Sequence, residues 1–207
     1  MYVNRTLMYK NHTPFTIAEL KVLELFLDLD KHYFAEITKK TKLTRPRTLR
    51  ALRKLTKINI FKTKTEANVK YYFLNKNPFV YSILSVVEYN RTLNFLEKNK
   101  KLERALGMFK EKYKNYLIML IFGSYVKGYA IKTSDIDLLL IKEKFSKDEI
   151  KKIEDLVELI NGRTGLRVSP YLMKLDEFRQ KKAFVKEVIE NHFLLEGGEL
   201  FFRLVLE

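Results

Sequence analysis

Between residues 121 and 141 the chain reads IFGSYVKGYAIKTSDIDLLLI. An apolar run over 116–122 stops at Gly123-Ser124, and after ten intervening residues Asp135 and Asp137 open a second apolar run. Few local folds satisfy this pattern: a strand, a turn, and a second strand with two acids at its mouth. Residues i and i+2 of a strand project to one face, so Asp135 and Asp137 present two carboxylates together while Ile136 faces the packing behind them. Adjacent carboxylates repel unless a cation lies between them. Hard oxygen donors suit Mg²⁺, which takes one or two protein carboxylates and completes its shell with water and phosphate oxygens. Gly123 removes a side chain where backbone must approach a ligand, and Ser124 is expected to cap a short helix whose N–H groups face a phosphate. Each half alone has a bland reading, a solvated strand end or an ordinary turn. Together, at this spacing, they point to a site for a metal-bound nucleotide.

Gly123-Ser124, Gly128 within the interval, and Ser134 directly before Asp135-Ile136-Asp137 resemble the signature of the DNA polymerase β-like nucleotidyltransferase superfamily, and most of all its minimal members. The resemblance spans about 116–206, strong in the motif and elsewhere a matching order of elements. It implies that Gly123 and Ser124 hold a nucleoside triphosphate, with Ser134 beside them, and that Asp135 and Asp137 bind Mg²⁺ or Mn²⁺ for nucleotidyl transfer. Lys127 is the further candidate for a phosphate contact. The family also supplies a third carboxylate from a later strand. That strand is expected over 166–172, LRVSPYL, which contains no acid; Ser169 or Tyr171 stands on the relevant face, and Asp176 and Glu177 follow only in the next turn. Two expectations therefore stand side by side. One is an enzyme moving a nucleoside monophosphate to a hydroxyl; the other is a transcription regulator whose nucleotidyltransferase-like domain binds nucleotide but is catalytically weak or inactive, its two-cation clamp being incomplete. Family members modify RNA ends, antibiotics and proteins, and minimal ones act with a helical toxin-like partner, so a tRNA or a protein side chain is the implied acceptor.

Charge divides the chain unevenly. Residues 1–115 carry 25 Lys plus Arg against 10 Asp plus Glu, and residues 116–207 carry 15 against 15, so the whole net charge of +15 lies in the first part. That asymmetry is the electrostatic footprint of a polyanion-binding half joined to something else. Residues 17–29 and 33–40 are predicted helices. Thr44 is a predicted N-cap, Pro46 fits a first helical turn, and Leu49, Leu52 and Leu55 predict an apolar stripe through Lys57. Over 39–57 there are nine basic residues and no acid, whereas a merely solvated face mixes both signs. Strands are expected at 58–64 and 69–74, joined by a hairpin turn at 65–68. Residues 13–75 resemble winged helix-turn-helix domains of transcription regulators. The resemblance implies DNA as partner, with Arg45, Arg47, Thr48 and Arg50 facing the major groove, and Arg53, Lys54, Lys57, Lys62, Lys64 and Lys70 meeting phosphates. RNA and a protein-binding use of the module remain open, since the same field attracts any polyanion.

The expected architecture is α+β: an N-terminal winged helix-turn-helix over 1–77, a helical connector and dimer contact over 78–115 with a break near 98–100, and a small mixed-sheet nucleotidyltransferase-like domain over 116–207. Within the last, 146–161 predicts an amphipathic helix opened by a Ser146/Glu149 capping box, followed by helices at 175–181 and 184–191 and a final apolar helix. His192 is expected to be structural or exposed rather than a base, and Tyr125 and Tyr129 to pack. The chain has no Cys, three His, and no apolar run approaching the roughly 20 residues of a membrane span, which leads to the expectation of a cytoplasmic protein with no membrane association.

Overall fold

A computed structural model describes residues 14–131 and 134–207. The chain divides into two compact units, one reaching to Asn90 and including Leu206–Glu207, the other Arg91–Val205. The boundary falls within the segment expected to connect the two halves.

The first unit begins with α1, Ile17–Leu25. Thr16 caps it, its hydroxyl accepting from the Glu19 N–H while the Glu19 carboxylate accepts from the Thr16 N–H, a reciprocal capping box. The predicted helix through residue 29 is cut short: Phe26–Asp28 tightens to a 3₁₀ turn and Leu29 takes a left-handed φ of 65°. A two-residue strand β1, His32–Tyr33, leads into α2, Phe34–Thr41, and then α3, Arg45–Lys57, with Pro46 in its first turn. Strands β2, Phe61–Glu66, and β3, Val69–Leu74, form a hairpin, and β1 joins it in the order β1-β3-β2, all antiparallel. The loop is two residues, not four. Ala67 and Asn68 both have positive φ, 46° and 62°, the primed geometry whose twist matches that of paired strands. Val22, Leu23, Phe26, Ile37, Leu52, Leu55, Ile60 and Phe61 are essentially fully buried and form the core.

Helix α4, Pro78–Lys98, starts in the first unit and ends in the second; Asn99 interrupts it, and α5, Lys100–Lys112, follows. The second unit is built on a four-stranded sheet of β4, Ile118–Phe122; β5, Ile136–Lys142; β6, Val168–Lys174; and β7, Phe193–Glu196. Their order is β6-β5-β4-β7, with β5–β6 parallel and the other pairs antiparallel. Met119, Ile121, Leu138 and Leu140 pack with Leu102, Leu106 and Phe109 of α5. Helix α7, Lys147–Thr164, adds Ile153, Leu156 and Ile160 to that core, each worth about 1.5–3 kcal/mol when buried. Its Ser146/Glu149 capping box is present as expected.

The short helices α6, Ser124–Lys127, and α8, Leu175–Arg179, follow β4 and β6, and α9, Ala183–Glu190, precedes β7. Helix α10, Gly198–Leu206, ends the fold. Strand β7 falls where the sequence offered only a lead-in to that helix. Gly197 makes it feasible: its φ is 80°, and a Cβ there would lie 2.1 Å from the Leu117 carbonyl oxygen. His192 is buried, its Nδ1 donates to the Ile189 carbonyl at 2.8 Å, and its ring packs on Phe201. Among the described residues no helix is long and apolar enough to cross a membrane.

Candidate functional site

Strands β4 and β5 pair so that Phe122 lies beside Asp137. On the other side of β5, the parallel register places Ser169 beside Asp137 and Tyr171 beside Leu139. Side chains paired in register point to one face, so Phe122, Asp137, Ser169 and Tyr171 share the face opposite the α5–α7 packing. Phe184 of α9 covers part of it, with ring centroids 5.5 Å from Phe122 and 4.9 Å from Tyr171. Asp137 is half-buried against this aromatic wall. Burial first, and the charge of Asp135 second, push its carboxyl above the usual aspartate range. Asp135 precedes the first strand residue rather than lying within β5, and its Oδ1 meets the Arg167 Nε at 2.9 Å.

Gly123 is the tightest element of the site. Its φ of 75° and ψ of −148° end β4 and start α6, and a Cβ built on it would lie 2.0 Å from Asp137 Oδ2. No side chain fits between this turn and that carboxylate. The helix cap expected of Ser124 is corrected here: Gly123 occupies the N-cap, Ser124 is the first helical residue, and no side-chain cap bond forms. The physical reason is the positive φ required to bring the turn against Asp137, a conformation a serine rarely adopts. Gly128 closes α6 with φ 78°.

Lys127 points to α9, where its Nζ donates to Glu187 Oε1 at 2.5 Å, a contact that raises its pKa. The expected phosphate ligand is therefore engaged by a carboxylate one helical turn from Phe184. Ser134 shapes the approach to Asp135: its Oγ accepts from the Ile131 N–H at 2.9 Å. Between them, Lys132 and Thr133 lie outside the described residues. The predicted nucleotide and metal residues thus gather at one end of β4 and β5. Tyr171 joins them from the face of β6 on which the sequence places it, and Arg167, Phe184 and Glu187 join from elements 30 to 60 residues away that nothing in the motif announced. Asp176 forms an ion pair with Arg179 of its own helix, at 3.1 Å. Among the described residues no group of three or more His, Cys, Asp or Glu is placed to hold a metal. Asp137, whose burial and whose neighbour Asp135 already disfavour its ionisation, nonetheless fits with Asp135 a cation that takes few protein ligands.

In the first unit, α3 exposes Arg45, Arg47, Arg50, Arg53, Lys54 and Lys57, and the hairpin exposes Lys62, Lys64 and Lys70. Thr48 is a correction. It is fully buried and its Oγ1 donates to the Thr44 carbonyl at 3.2 Å, so it packs inward with Ala51, Leu52 and Leu55 while the more apolar Leu49 is only partly covered. Lys54 is partly committed, its Nζ reaching Glu19 Oε2 at 2.8 Å, and Lys64 lies 3.2 Å from Glu66 Oε1. Arg45 stacks over the Phe34 ring at 5.5 Å and Lys70 over Tyr72 at 5.6 Å.

Comparison with known proteins adds to this geometry. Residues 102–195 match the nucleotidyltransferase domain family. A protein of Methanocaldococcus jannaschii, provisionally named a protein adenylyltransferase, is 38% identical over 80 residues, covering 37% of this chain. That match spans about half, 54%, of the relative's own length. A solved structure of TrmBL2, an archaeal chromatin protein with a novel mode of DNA binding, aligns over 86% of this chain and 70% of its own. It does so at 18% identity and a TM-score of 0.31, a likeness that carries no argument about the fold.

Proposed function

We propose that the second unit transfers a nucleoside monophosphate from a nucleoside triphosphate to a hydroxyl acceptor. The observation carrying this reading is the seat of Asp137 against Gly123, with Asp135 alongside, inside the stretch that matches the nucleotidyltransferase domain. The acceptor oxygen attacks the α-phosphorus in line, a new P–O bond forms, the α–β bridging P–O bond breaks, and pyrophosphate leaves as the hydroxyl proton is lost. Asp135 and Asp137 would hold Mg²⁺ or Mn²⁺, which when bound supplies charge neutralisation at the phosphates. Gly123 lets the backbone come close to the triphosphate, and Ser124 and Ser134 flank it. Phe122, beside Asp137 in the sheet and packed on Phe184, limits water on the inner side of that carboxylate. Lys127 reaches phosphate once released from Glu187.

The relative's name favours a protein side chain as acceptor and ATP as donor; a tRNA end is the other candidate. A helical toxin-like partner is one protein that fits. For the first unit we propose a winged helix bound to DNA, supported by three helices followed by an antiparallel hairpin and by nine exposed cations on α3 and that hairpin. Residues 78–115 serve as connector and homodimer contact, and the protein works in the cytoplasm. A second reading, a nucleotide-binding regulator with little or no transfer, is favoured by Ser169 standing beside Asp137 where a further acid would complete the site.

The deciding experiment uses α-³²P-labelled nucleoside triphosphates with Mg²⁺ or Mn²⁺, offered total tRNA and a host lysate. Wild type should label an acceptor and Asp135→Asn/Asp137→Asn should not. Absence of label with nucleotide still raising the melting temperature of wild type would replace the enzyme by the regulator.

A further inference from the structure

The two-carboxylate site already contains a cation of its own. Arg167 directly precedes β6, and its carbonyl accepts the Ile136 N–H at 2.7 Å, which fixes its backbone beside Asp135. Its side chain then lays Nε on Asp135 Oδ1 at 2.9 Å. Extended one step back from the Ile136–Val168 pair, the parallel register gives two rows across the strands, Asp135 with Arg167 and Asp137 with Ser169. Among the described residues, two carboxylates and one guanidinium meet at the mouth, beside the Lys127–Glu187 pair. With one of the two carboxylates already paired to the guanidinium, the empty site offers the protein ligands that a single divalent ion takes.

We propose that Arg167 is a positioning residue that exchanges partners: it balances Asp135 in the empty site and moves to the triphosphate when metal-nucleotide arrives. The inference rests on the nucleotide reading above. Exposure makes the exchange feasible. The side chain of Arg167 is 66% exposed and that of Asp135 46%, so their ion pair is weak enough to be displaced while the backbone anchor stays in place. A guanidinium offers a planar fork suited to two phosphate oxygens, and it is always charged, so it competes with metal for Asp135 in the absence of nucleotide and assists nucleotide in the absence of metal. Phosphate draws it away and frees the carboxylate, so metal and nucleotide each make room for the other. The stoichiometry that follows is one divalent ion and one arginine per nucleotide.

Two titrations test this on the full chain: free Mn²⁺ followed by its solution electron paramagnetic resonance signal, and α,β-methylene-ATP in metal-free buffer followed by calorimetry. Arg167→Ala should tighten Mn²⁺ binding roughly two- to fivefold, by removing a competing exposed cation, and weaken metal-free nucleotide about tenfold. Arg167→Lys should restore the Mn²⁺ value but only part of the nucleotide affinity, because a point charge lacks the fork. Unchanged melting temperature identifies the variants as folded, as expected for an exposed side chain. Arg167→Ala matching wild type in both titrations overturns the inference and leaves the nucleotide reading standing, as does tight binding of two Mn²⁺ per chain. Wild type that binds neither Mn²⁺ nor nucleotide overturns the nucleotide reading itself, and the inference with it.

Discussion

The two units carry their charges in opposite ways. In the first, cations are spread along the exposed face of α3 and the hairpin, each on a flexible stem and replaceable by its neighbours. In the second, two carboxylates and one glycine meet at a single point, where a carbon atom added to Gly123 would strike Asp137 Oδ2. A distributed surface degrades gradually and a jointed one fails at once. The difference shows how function is stored, as a field in one unit and as a fit in the other.

The sharpest way to break that comparison is Asp137→Asn. Transfer should fall about a thousandfold, since the lost charge acts where phosphate charge is neutralised. Thermal unfolding of the same variant should shift upward, because an amide relieves both the repulsion from Asp135 and the burial of a charge. A lower melting temperature would show that the carboxylate supports the fold and that the fit is structural. Gly123→Ala comes next: about a hundredfold in transfer, with a destabilisation of about 1–3 kcal/mol from the positive φ and the clash, measured by denaturant unfolding.

In the first unit, Arg47→Ala should weaken DNA binding by about tenfold and relax its sequence preference. Complete loss from this one change, in a titration at fixed salt, would mean that the surface is as concentrated as the other site. Lys64→Ala should be milder, a uniform loss that lowers the slope of log affinity against log salt by about 1. If the two variants behave alike in both assays, the division of groove and phosphate roles on this surface is wrong.

The smallest effect is expected at Glu149, which caps α7 and pairs with Lys142. That hydrogen bond first, and the Ser146 backbone next, hold its carboxyl down to about 2. A folded pKa below the unfolded value of 4.5 gives stability that is complete above 4.5 and lost as pH falls toward about 2. Glu149→Gln should therefore lower the melting temperature modestly at neutral pH and flatten its decline in that acid window.

The parts of this molecule that were legible in the sequence are those whose causes are local. Asp135 and Asp137 announce themselves through the two-residue period of a strand, Ser146 and Glu149 through the reach of a capping box, and the basic face of α3 through a run without acids. Strands β1 and β7 were missed because two and four residues are too few to show a period. Thr48 misled because a threonine at a helical position can bond its own backbone four residues back and so enter a core that its polarity argues against. Arg167, Phe184 and Glu187 could not be read at all. Their place in the site follows from which strands pair and where α9 lies, and no spacing in the chain encodes that.

The sheet order also sets a timetable. The β4–β5 pair, which bears Gly123, Asp135 and Asp137, is closed by residues 118–142, whereas the other edge of β4 is paired only by β7, whose residues lie more than 70 positions later. As the chain leaves the ribosome, the β4–β5 hairpin can form early, with a bare and wholly apolar strand edge exposed until residue 196 has emerged. Such an edge is a template for pairing with a neighbouring nascent chain. The vulnerable moment in the life of this protein is therefore its own birth, and a pause in translation between residues 142 and 193 should raise its yield of aggregate more than a pause anywhere earlier.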